Sequence, residues 1–196
     1  MEKELWFLRN ENTNAGTTKS YKIKLLIWRC VDMIFFKTSP TVFNFWRIFL
    51  LRIFGAKIGR GSYISPRATI LIPWNFEMGN FSSIDDYAFI KPRVKITIGD
   101  YVSIANFVHL IPAGHDVRSR GFESDMQPIT IGSGAFIGAD TFVYRGVNIG
   151  QMAVIGARSV VLKNMPENMI CYGHPCMPMS ERLDKEIFRK YRYNYK

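Results

Sequence analysis

The chain has 196 residues, enough for one domain with a substantial core. Its 26 Lys and Arg residues outnumber its 16 Asp and Glu residues by ten, which favours an anionic partner (phosphates, acidic lipid or nucleic acid) or indicates a basic solvated surface. The three cysteines form no CxxC pair and no signal peptide opens the chain, so we expect reduced thiols in a cytoplasmic protein.

The first 57 residues predict a polar arm followed by two helices. The arm covers residues 1–18, and a helical pattern runs from Ser20 through Phe36. A second helix is predicted from Ser39-Pro40, a cap followed by a first-turn proline, to about Phe54. Neither run reaches the ~20 uncharged apolar residues of a membrane span. We expect these helices to cap the structure that follows, and their basic, aromatic character is also compatible with a membrane surface.

The stretch from Ile58 to Met165 repeats every six residues. An aliphatic residue leads each six: Ile58, Ile64, Ile70, Met78, Ile84, Ile90, Ile98, Ile104, Leu110, Ile131, Ile137, Val143, Ile149, Ile155 and Val161. A small or β-branched residue usually follows four positions later. Glycine often comes directly after the leader, where we expect a backbone conformation closed to other residues. A period of six indicates a parallel β-helix, in which three short sides make one triangular coil.

The interruptions of the repeat all follow a third side, so they fall at one corner of the prism. The leaders Ile70 and Met78 are eight residues apart, as are Ile90 and Ile98, while Leu110 and Ile131 are twenty-one apart. We therefore predict an all-β fold of about five coils, roughly 25 Å tall, with one long loop at about 111–130. The predicted domains are a helical cap (1–57), the β-helix (58–179) and a C-terminal helix or tail (180–196), with Ser180 as a candidate helix cap.

Three histidines are the candidates for proton transfer. His109 should point outward from its coil, and His174 lies in a Gly-Pro turn. His115 lies in the long loop beside Gly114 and Asp116, where a rigid scaffold would present it. Asp85 and Asn106 are candidate contacts for a hydroxyl-bearing substrate. No GxSxG elbow and no phosphate-binding P-loop occurs in the sequence.

The hexads and the histidine loop resemble the hexapeptide-repeat acetyltransferases, the family of the galactoside, maltose and serine acetyltransferases. The segment from Phe45 to Gly59, Pro73-Trp74, Gly114-His115-Asp116 and the run from Ala153 to Val161 are more specifically similar to the WcaF-type acetyltransferases of colanic acid biosynthesis. The resemblance spans about residues 40–178. It implies a left-handed β-helix, against the usual right-handed crossover.

The resemblance also implies a reaction and its residues. The enzyme would be a homotrimer with active sites between subunits, and His115 would be the general base for direct transfer from acetyl-CoA to a sugar hydroxyl. Asp85 stands where galactoside acetyltransferases carry a sugar-contacting asparagine, and Asn106 and Asp116 would also contact the acceptor. A backbone amide near Ala139 would stabilise the oxyanion. CoA would lie along Phe136, Ala139, Ala157, Arg158 and Lys163, with its phosphate near Arg158, Lys163 or Arg182.

The acceptor would be a sugar of exopolysaccharide, capsule or O-antigen synthesis, lipid-linked or nucleotide-linked, and we expect neither nucleic acid nor a metal as a partner. The protein would be cytoplasmic, either free or bound peripherally to the inner face of the membrane. Three alternatives stay open. They are an N-acetyltransferase of an amino sugar or a small-molecule acetyltransferase, a zinc hydratase like the γ-class carbonic anhydrases, and a non-catalytic β-helix scaffold. The zinc reading needs three close histidines, whereas His174 lies far from His109 and His115 in the sequence.

Overall fold

A computed structural model describes residues 18–194, with side chains described up to Lys190. The predicted arm therefore lies almost entirely outside the described residues. Helix α1 spans Lys19–Val31 and continues into a π-helical turn, Asp32–Phe36, while α2 spans Asn44–Ile53. A last helix, α3, spans Lys185–Asn194.

Seventeen of the strands form three sheets that are the three sides of a prism. Strands are numbered in chain order. Sheet A contains β1 (Lys57–Ile58), β4 (Phe76–Met78), β7 (Ile96–Ile98), β12 (Ile129–Ile131) and β15 (Asn148–Ile149). Sheet B contains β2 (Tyr63–Ile64), β5 (Ser83–Ile84), β8 (Ser103–Ile104), β13 (Phe136–Ile137), β16 (Val154–Ile155), β18 (Met169–Gly173) and β19 (Cys176–Glu181). Sheet C contains β3 (Thr69–Ile70), β6 (Phe89–Ile90), β9 (His109–Ile111), β14 (Phe142–Tyr144) and β17 (Val160–Val161).

The predicted β-helix is confirmed by the pairing of these strands. Each sheet is parallel except for the antiparallel pairing of β18 with β19, and leaders of successive coils are direct partners, as Ile84 and Ile104 are. Five coils are complete, and β18 adds a sixth rung to sheet B. Strand order and register are the same for either hand of winding, so left-handedness remains a prediction.

The leaders form the core of the prism. All fifteen are buried, and Ile64, Ile84, Ile104, Ile137 and Ile155 are fully inaccessible. Burial of a side chain of this size stabilises the fold by about 1.5–3 kcal/mol. The small residues four positions later are buried too, with Val94 only partly so. One alternating pattern thus fills the interior from the first coil to the last.

Glycine was expected after the leaders because of an unusual backbone conformation, and this explanation is wrong. Those glycines do not have the left-handed conformation. They are required because the coils approach closely, since a Cβ on Gly59 would lie 2.5 Å from the backbone of Gly79. The left-handed conformation instead belongs to the third residue after most leaders, such as Phe81, Tyr87, Tyr101 and Phe107.

The corners of the prism are named here by the sheets that they connect. The AB corner joins each strand of sheet A to the next strand of sheet B, and the BC and CA corners follow in the same way. The interruptions lie at the CA corner, as predicted. The long excursion there is not an irregular loop but an antiparallel hairpin, β10 (Ala113–His115) with β11 (Ser124–Met126).

The predicted helix starts need correction at two places. No helix begins at Ser39-Pro40, because the Ser39 hydroxyl donates to the Phe36 carbonyl and accepts from Arg47 instead of capping a helix. Ser180 lies within β19, and α3 starts at Lys185, where the Asp184 carboxylate accepts from the Glu186 amide.

Candidate active site

The hairpin β10–β11 carries the histidine that the sequence singles out. The imidazole of His115 is exposed, stacks on the ring of Phe122 at 4.7 Å, and has Nδ1 3.0 Å from the Phe122 carbonyl oxygen. A carbonyl oxygen can only accept, so Nδ1 donates this hydrogen bond. In the neutral ring Nε2 is then unprotonated and available to accept a proton.

A second set of contacts, which the sequence did not indicate, fixes the hairpin to the prism. Asp125 of the hairpin forms an ion pair with Arg145, whose guanidinium is 4.9 Å from the Tyr144 ring. Hydrogen bonding to Tyr144 is the largest cause that raises the pKa of Arg145. A Cβ on Gly114 would collide with the Tyr144 hydroxyl. The hairpin therefore lies directly on the fourth coil, and only glycine fits at position 114.

Asp116, a predicted acceptor contact, is also part of the hairpin. Its amide donates to the Glu123 carbonyl over 2.9 Å, and its carboxylate oxygen Oδ1 accepts from the Arg118 amide at 2.9 Å. One carboxylate oxygen thus stabilises the turn of the hairpin, and the side chain is exposed. The hydroxyl of Ser119 donates to the Asp116 carbonyl, which adds to the same turn.

The other predicted residues lie mostly at the BC corner. Asp85, Asn106, Ala139, Ala157 and Arg158 occur one to three positions after the sheet B leaders, so they line this corner in successive coils. The corner is held by a ladder in which the Asp140 amide donates to Asn106 and the Arg158 amide to Ala139. Phe136 lies on the outer face of sheet B and is 40% exposed.

In the first three coils the amides of this corner differ from those of the AB corner. There, side chains of the next coil accept from the AB-corner amides of Arg60, Asn80 and Asp100. In coils four and five, within residues 18–194, the amides of Ala139 and Ala157 at the BC corner donate to no acceptor, and neither do those of Ser133 and Gln151 at the AB corner. Since an unpaired amide needs water or a ligand, the BC corner presents a row of free donors.

Asp85 lies in a carboxylate cluster at the start of the BC corner. Partial burial raises the pKa of Asp85, and the adjacent Asp86 raises it further. Asp86 itself accepts from Ser65 and pairs with Arg67 at 2.7 Å, and these bonds lower its pKa. Two adjacent carboxylates therefore have opposite pKa shifts: Ser65 and Arg67 lower the pKa of Asp86, whereas burial and the Asp86 carboxylate raise the pKa of Asp85.

The cations considered for the CoA phosphate divide into two groups. Arg182 donates from Nη1 to the carbonyls of Gly134 and Met152, at 2.9 and 3.0 Å, at the AB corner. It is therefore occupied by the backbone on a different edge of the prism. Arg158, at the BC corner, and Lys163, which follows β17 at the CA corner, are both exposed. Within the described residues the ion pair of Arg158 is a solvent-exposed one with Asp140 at 3.5 Å.

In residues 18–194 no three His, Cys, Asp or Glu side chains come together, so this part of the chain offers no group of metal ligands. Cys171 and Cys176 are buried in the sixth rung, and burial raises the pKa of the Cys171 thiol to about 11. These thiols therefore pack as small apolar groups.

The chain is similar to named acetyltransferases over most of its length. WcaF of Escherichia coli K12, named as a candidate colanic acid biosynthesis acetyltransferase, is 38% identical over 164 residues, which are 84% of this chain and 90% of the relative. Galactoside O-acetyltransferase of the same organism is 32% identical over 157 residues, 73% of each chain. No protein-family model matches the sequence.

Solved structures show the same fold. A galactoside acetyltransferase in complex with coenzyme A has a TM-score of 0.73 at 27% identity, over 88% of both chains. A hexapeptide-repeat acetyltransferase from Vibrio cholerae, complexed with acetyl coenzyme A, has a TM-score of 0.77 at 22% identity, over 86% of this chain and 92% of that one. The chain belongs to the hexapeptide-repeat acetyltransferases. It is thus an acyltransferase, and its similarity to WcaF extends over 84% of its length.

Proposed function

We propose that the protein is an acetyl-CoA-dependent O-acetyltransferase that modifies a sugar hydroxyl during synthesis of an exopolysaccharide, capsule or O-antigen. The names of the two relatives, a colanic acid enzyme and a galactoside enzyme, support a sugar acceptor. The observation that carries the proposal is His115, held on a hairpin that an ion pair fixes to the fourth coil, with Nδ1 bonded to the Phe122 carbonyl and Nε2 without a partner in the described residues.

The free Nε2 supports a role for His115 as general base. In this reaction Nε2 takes the proton of the acceptor hydroxyl while the hydroxyl oxygen bonds to the acetyl carbonyl carbon. The C–S bond of the thioester breaks, and the proton leaves with the CoA thiol. The free amide of Ala139 is a candidate donor to the oxyanion, a kind of contact worth about 2.7–4 kcal/mol in a measured case.

The positions of the predicted residues support an active site shared between subunits. His115 projects from the CA corner, whereas Asp85, Asn106, Ala139 and Arg158 line the BC corner, one side of the triangle away. In a homotrimer the CA corner of one prism faces the BC corner of the next. One subunit then supplies the base, and its neighbour supplies the surface for donor and acceptor.

The BC corner has features that fit each substrate. The exposed ring of Phe136 and the free amides of Ala139 and Ala157 suit the pantetheine arm, which carries amide carbonyls, and Arg158 suits phosphate. Lys163, at the CA corner, is the cation that the neighbouring subunit would add. Asp85, Asn106 and the remaining oxygen of Asp116 suit sugar hydroxyls. Because its pKa is raised, the Asp85 carboxyl stays protonated, and so able to donate, to a higher pH than an ordinary aspartate.

Replacement of His115 by alanine tests the proposal. We expect acetyl transfer from acetyl-CoA to a panel of galactosides and nucleotide sugars to fall by at least ~10²-fold, with an unchanged melting temperature because the side chain is exposed. His109→Ala is the matched control, since His109 is an exposed histidine on the outer face of sheet C. Undiminished activity of His115→Ala would remove the base from the mechanism.

A further inference from the structure

Both helices of the cap pack on the prism and also expose apolar side chains to solvent. On α2, the polar residues Asn44 and Arg47 face the protein together with the buried Leu50 and Leu51. Asn44 donates to the Ser62 carbonyl and accepts from the Ile64 amide, at 2.8 and 3.1 Å. Arg47 is fully buried and donates to the Ile64 carbonyl at 2.8 Å. The polar strip thus pairs the open backbone edge of the first coil, and burial lowers the pKa of Arg47.

A further apolar stripe on the same helix faces outward. Phe45 is 69% exposed, Phe49 50% and Ile53 61%. Residues four apart lie on one helix face, so these three side chains form a continuous stripe. An ordinary surface helix buries such a stripe against the core.

Helix α1 also exposes apolar side chains, although its inward face is apolar as well, with Leu25 and Val31 partly buried on the same side as Trp28. Trp28 is its buried anchor, with Nε1 donating to the Ile70 carbonyl at 2.8 Å. Ile23, Leu26 and Ile27 are 58%, 62% and 51% exposed, and their spacing of three and four places them on one face. Ile34, in the π-helical turn, continues the stripe and is 57% exposed.

A groove joins the two stripes into one surface. It has a volume of about 350 Å³, and its lining includes Ile34 and Phe35 from the π-helical turn and Phe43, Phe45 and Trp46 from α2 and the residue before it. Phe43 and Phe45 lie 5.8 Å apart, and Trp46 stacks on Phe49 at 5.7 Å. The exposed stripes and the groove are called the cap face below.

The charges around the cap face are almost all positive. Six exposed cations belong to the cap: Lys19, Lys22, Lys24, Arg29, Lys37 and Arg52. Three of them contact the prism, since Lys24 lies over the Trp74 ring, Lys37 donates to Thr69 and Arg52 donates to the Ile58 carbonyl. Between residues 18 and 56 the single acidic residue is Asp32, which is half-buried. Long basic side chains at the edge of an apolar face can reach phosphate headgroups while the apolar groups enter the acyl boundary.

We propose that the cap face is a docking surface for an anionic phospholipid bilayer, on which α1 and α2 lie flat. In residues 18–194 no helix has the length and apolar character to cross a bilayer, so the cap rests on the surface. Exposed apolar patches of this extent mark contact with a membrane or a protein, and the basic surround favours the anionic membrane. This inference goes beyond the proposed acetyl transfer and does not depend on it.

Co-sedimentation of the full chain with vesicles tests the proposal. We expect binding to vesicles of phosphatidylcholine mixed with phosphatidylglycerol, weak binding to phosphatidylcholine alone, and a loss of binding as salt is raised. Leu26→Glu combined with Phe45→Glu should lower partition by at least ~10-fold. Lys22→Glu combined with Arg29→Glu should lower it by a similar factor on the anionic vesicles only.

The matched control is Met179→Glu, which places the same charge at a 53% exposed apolar residue of β19, away from the cap. This variant should bind vesicles like the unchanged chain. All variants should keep the melting temperature and its rise with acetyl-CoA, which separates a docking defect from a failure of the acetyl-transfer proposal. A full chain that does not sediment with anionic vesicles overturns the inference. The inference is also overturned if the cap-face substitutions change self-association of the protein but not its binding to vesicles, because the cap face would then bind a second copy of the chain.

Discussion

The imidazole of His115 donates through Nδ1 to the carbonyl oxygen of Phe122, 3.0 Å away, and lies against the Phe122 ring with 11° between the planes. The backbone contact selects the tautomer, and the ring contact limits rotation of the imidazole. Phe122 lies two residues before β11 in the same hairpin, so the hairpin holds its own base in place.

The ring of Phe122 should therefore matter for rate more than for stability. We expect Phe122→Ala to lower kcat by about 2- to 10-fold, because an aromatic pair is worth about 0.5–1.5 kcal/mol. The carbonyl acceptor remains in this variant, so the tautomer should not change. Phe122→Tyr keeps the stack and is the control. Steady-state kinetics with saturating acetyl-CoA measure the effect, and an equal loss in both variants would contradict it.

Gly114 provides a sharper test of hairpin position. A methyl group there collides with the Tyr144 hydroxyl and lies 2.9 Å from Arg145 Nε, so Gly114→Ala must move the hairpin. Displacement of a catalytic group by about 1 Å can cost up to about 10²-fold, and we expect a loss of 10- to 100-fold in kcat. The melting temperature should change little because the core coils are untouched.

A second substitution makes the Gly114 prediction specific. Tyr144→Phe removes the atom nearest to the added methyl group, so the double variant Gly114→Ala/Tyr144→Phe should recover part of the lost rate. Tyr144→Phe alone should retain most activity. No recovery in the double variant would show that the loss has another cause.

The prism was predictable from the sequence because its rule is local and repeated. Each leader is buried by its own position in the hexad, and the partner in the next coil, such as Ile104 for Ile84, follows from the period. The position of each interruption also follows from counting sides. The hand of winding does not follow, since the spacing is the same for both hands.

Other features depend on contacts that no period encodes. The apolar and polar sides of α2 were visible, but which side faces the prism depends on the open backbone at Ile64 and Ser62 that Arg47 and Asn44 satisfy. The ion pair of Asp125 with Arg145 depends on how the hairpin folds over the fourth coil. The sequence shows Arg182 as a basic residue near the C-terminus, but it does not indicate that the side chain donates to two backbone carbonyls.

The phosphate of CoA should depend on Arg158 and Lys163. We expect the double variant Arg158→Ala/Lys163→Ala to raise KM for acetyl-CoA about 10-fold with little change in kcat, since each lost charged contact is worth about 1.5–3 kcal/mol at most. Stability should hold, because the pair of Arg158 with Asp140 is 85% and 59% exposed. A donor without the 3′-phosphate is the control, and its KM should be the same for both enzymes. Arg182→Ala should instead lower the melting temperature, since two backbone carbonyls lose their donor.

Asp32 gives a prediction for stability against pH. Burial raises the pKa of its carboxyl from 3.8 to about 6, an effect that Lys37 partly opposes, and its Oδ1 is buried without a hydrogen-bond partner in the described chain. Between about pH 4 and 6 the folded state retains a proton that the unfolded state has released, so the Asp32 contribution to stability falls as pH rises. Above pH 6 the full penalty is present.

Asp32→Asn should remove that penalty. We expect the variant to be more stable than the unchanged chain by about 1–2 kcal/mol at pH 7, after allowance for the partial exposure of the carboxyl, and equally stable near pH 3. Thermal or denaturant unfolding at a series of pH values measures the difference. Asp140→Asn, at a carboxylate that is 59% exposed, should change stability by less than about 0.5 kcal/mol across the series. A difference between Asp32→Asn and the unchanged chain that stays constant from pH 3 to 7 would mean that titration of Asp32 is not its cause, because only a shifted pKa makes the gain grow through this window.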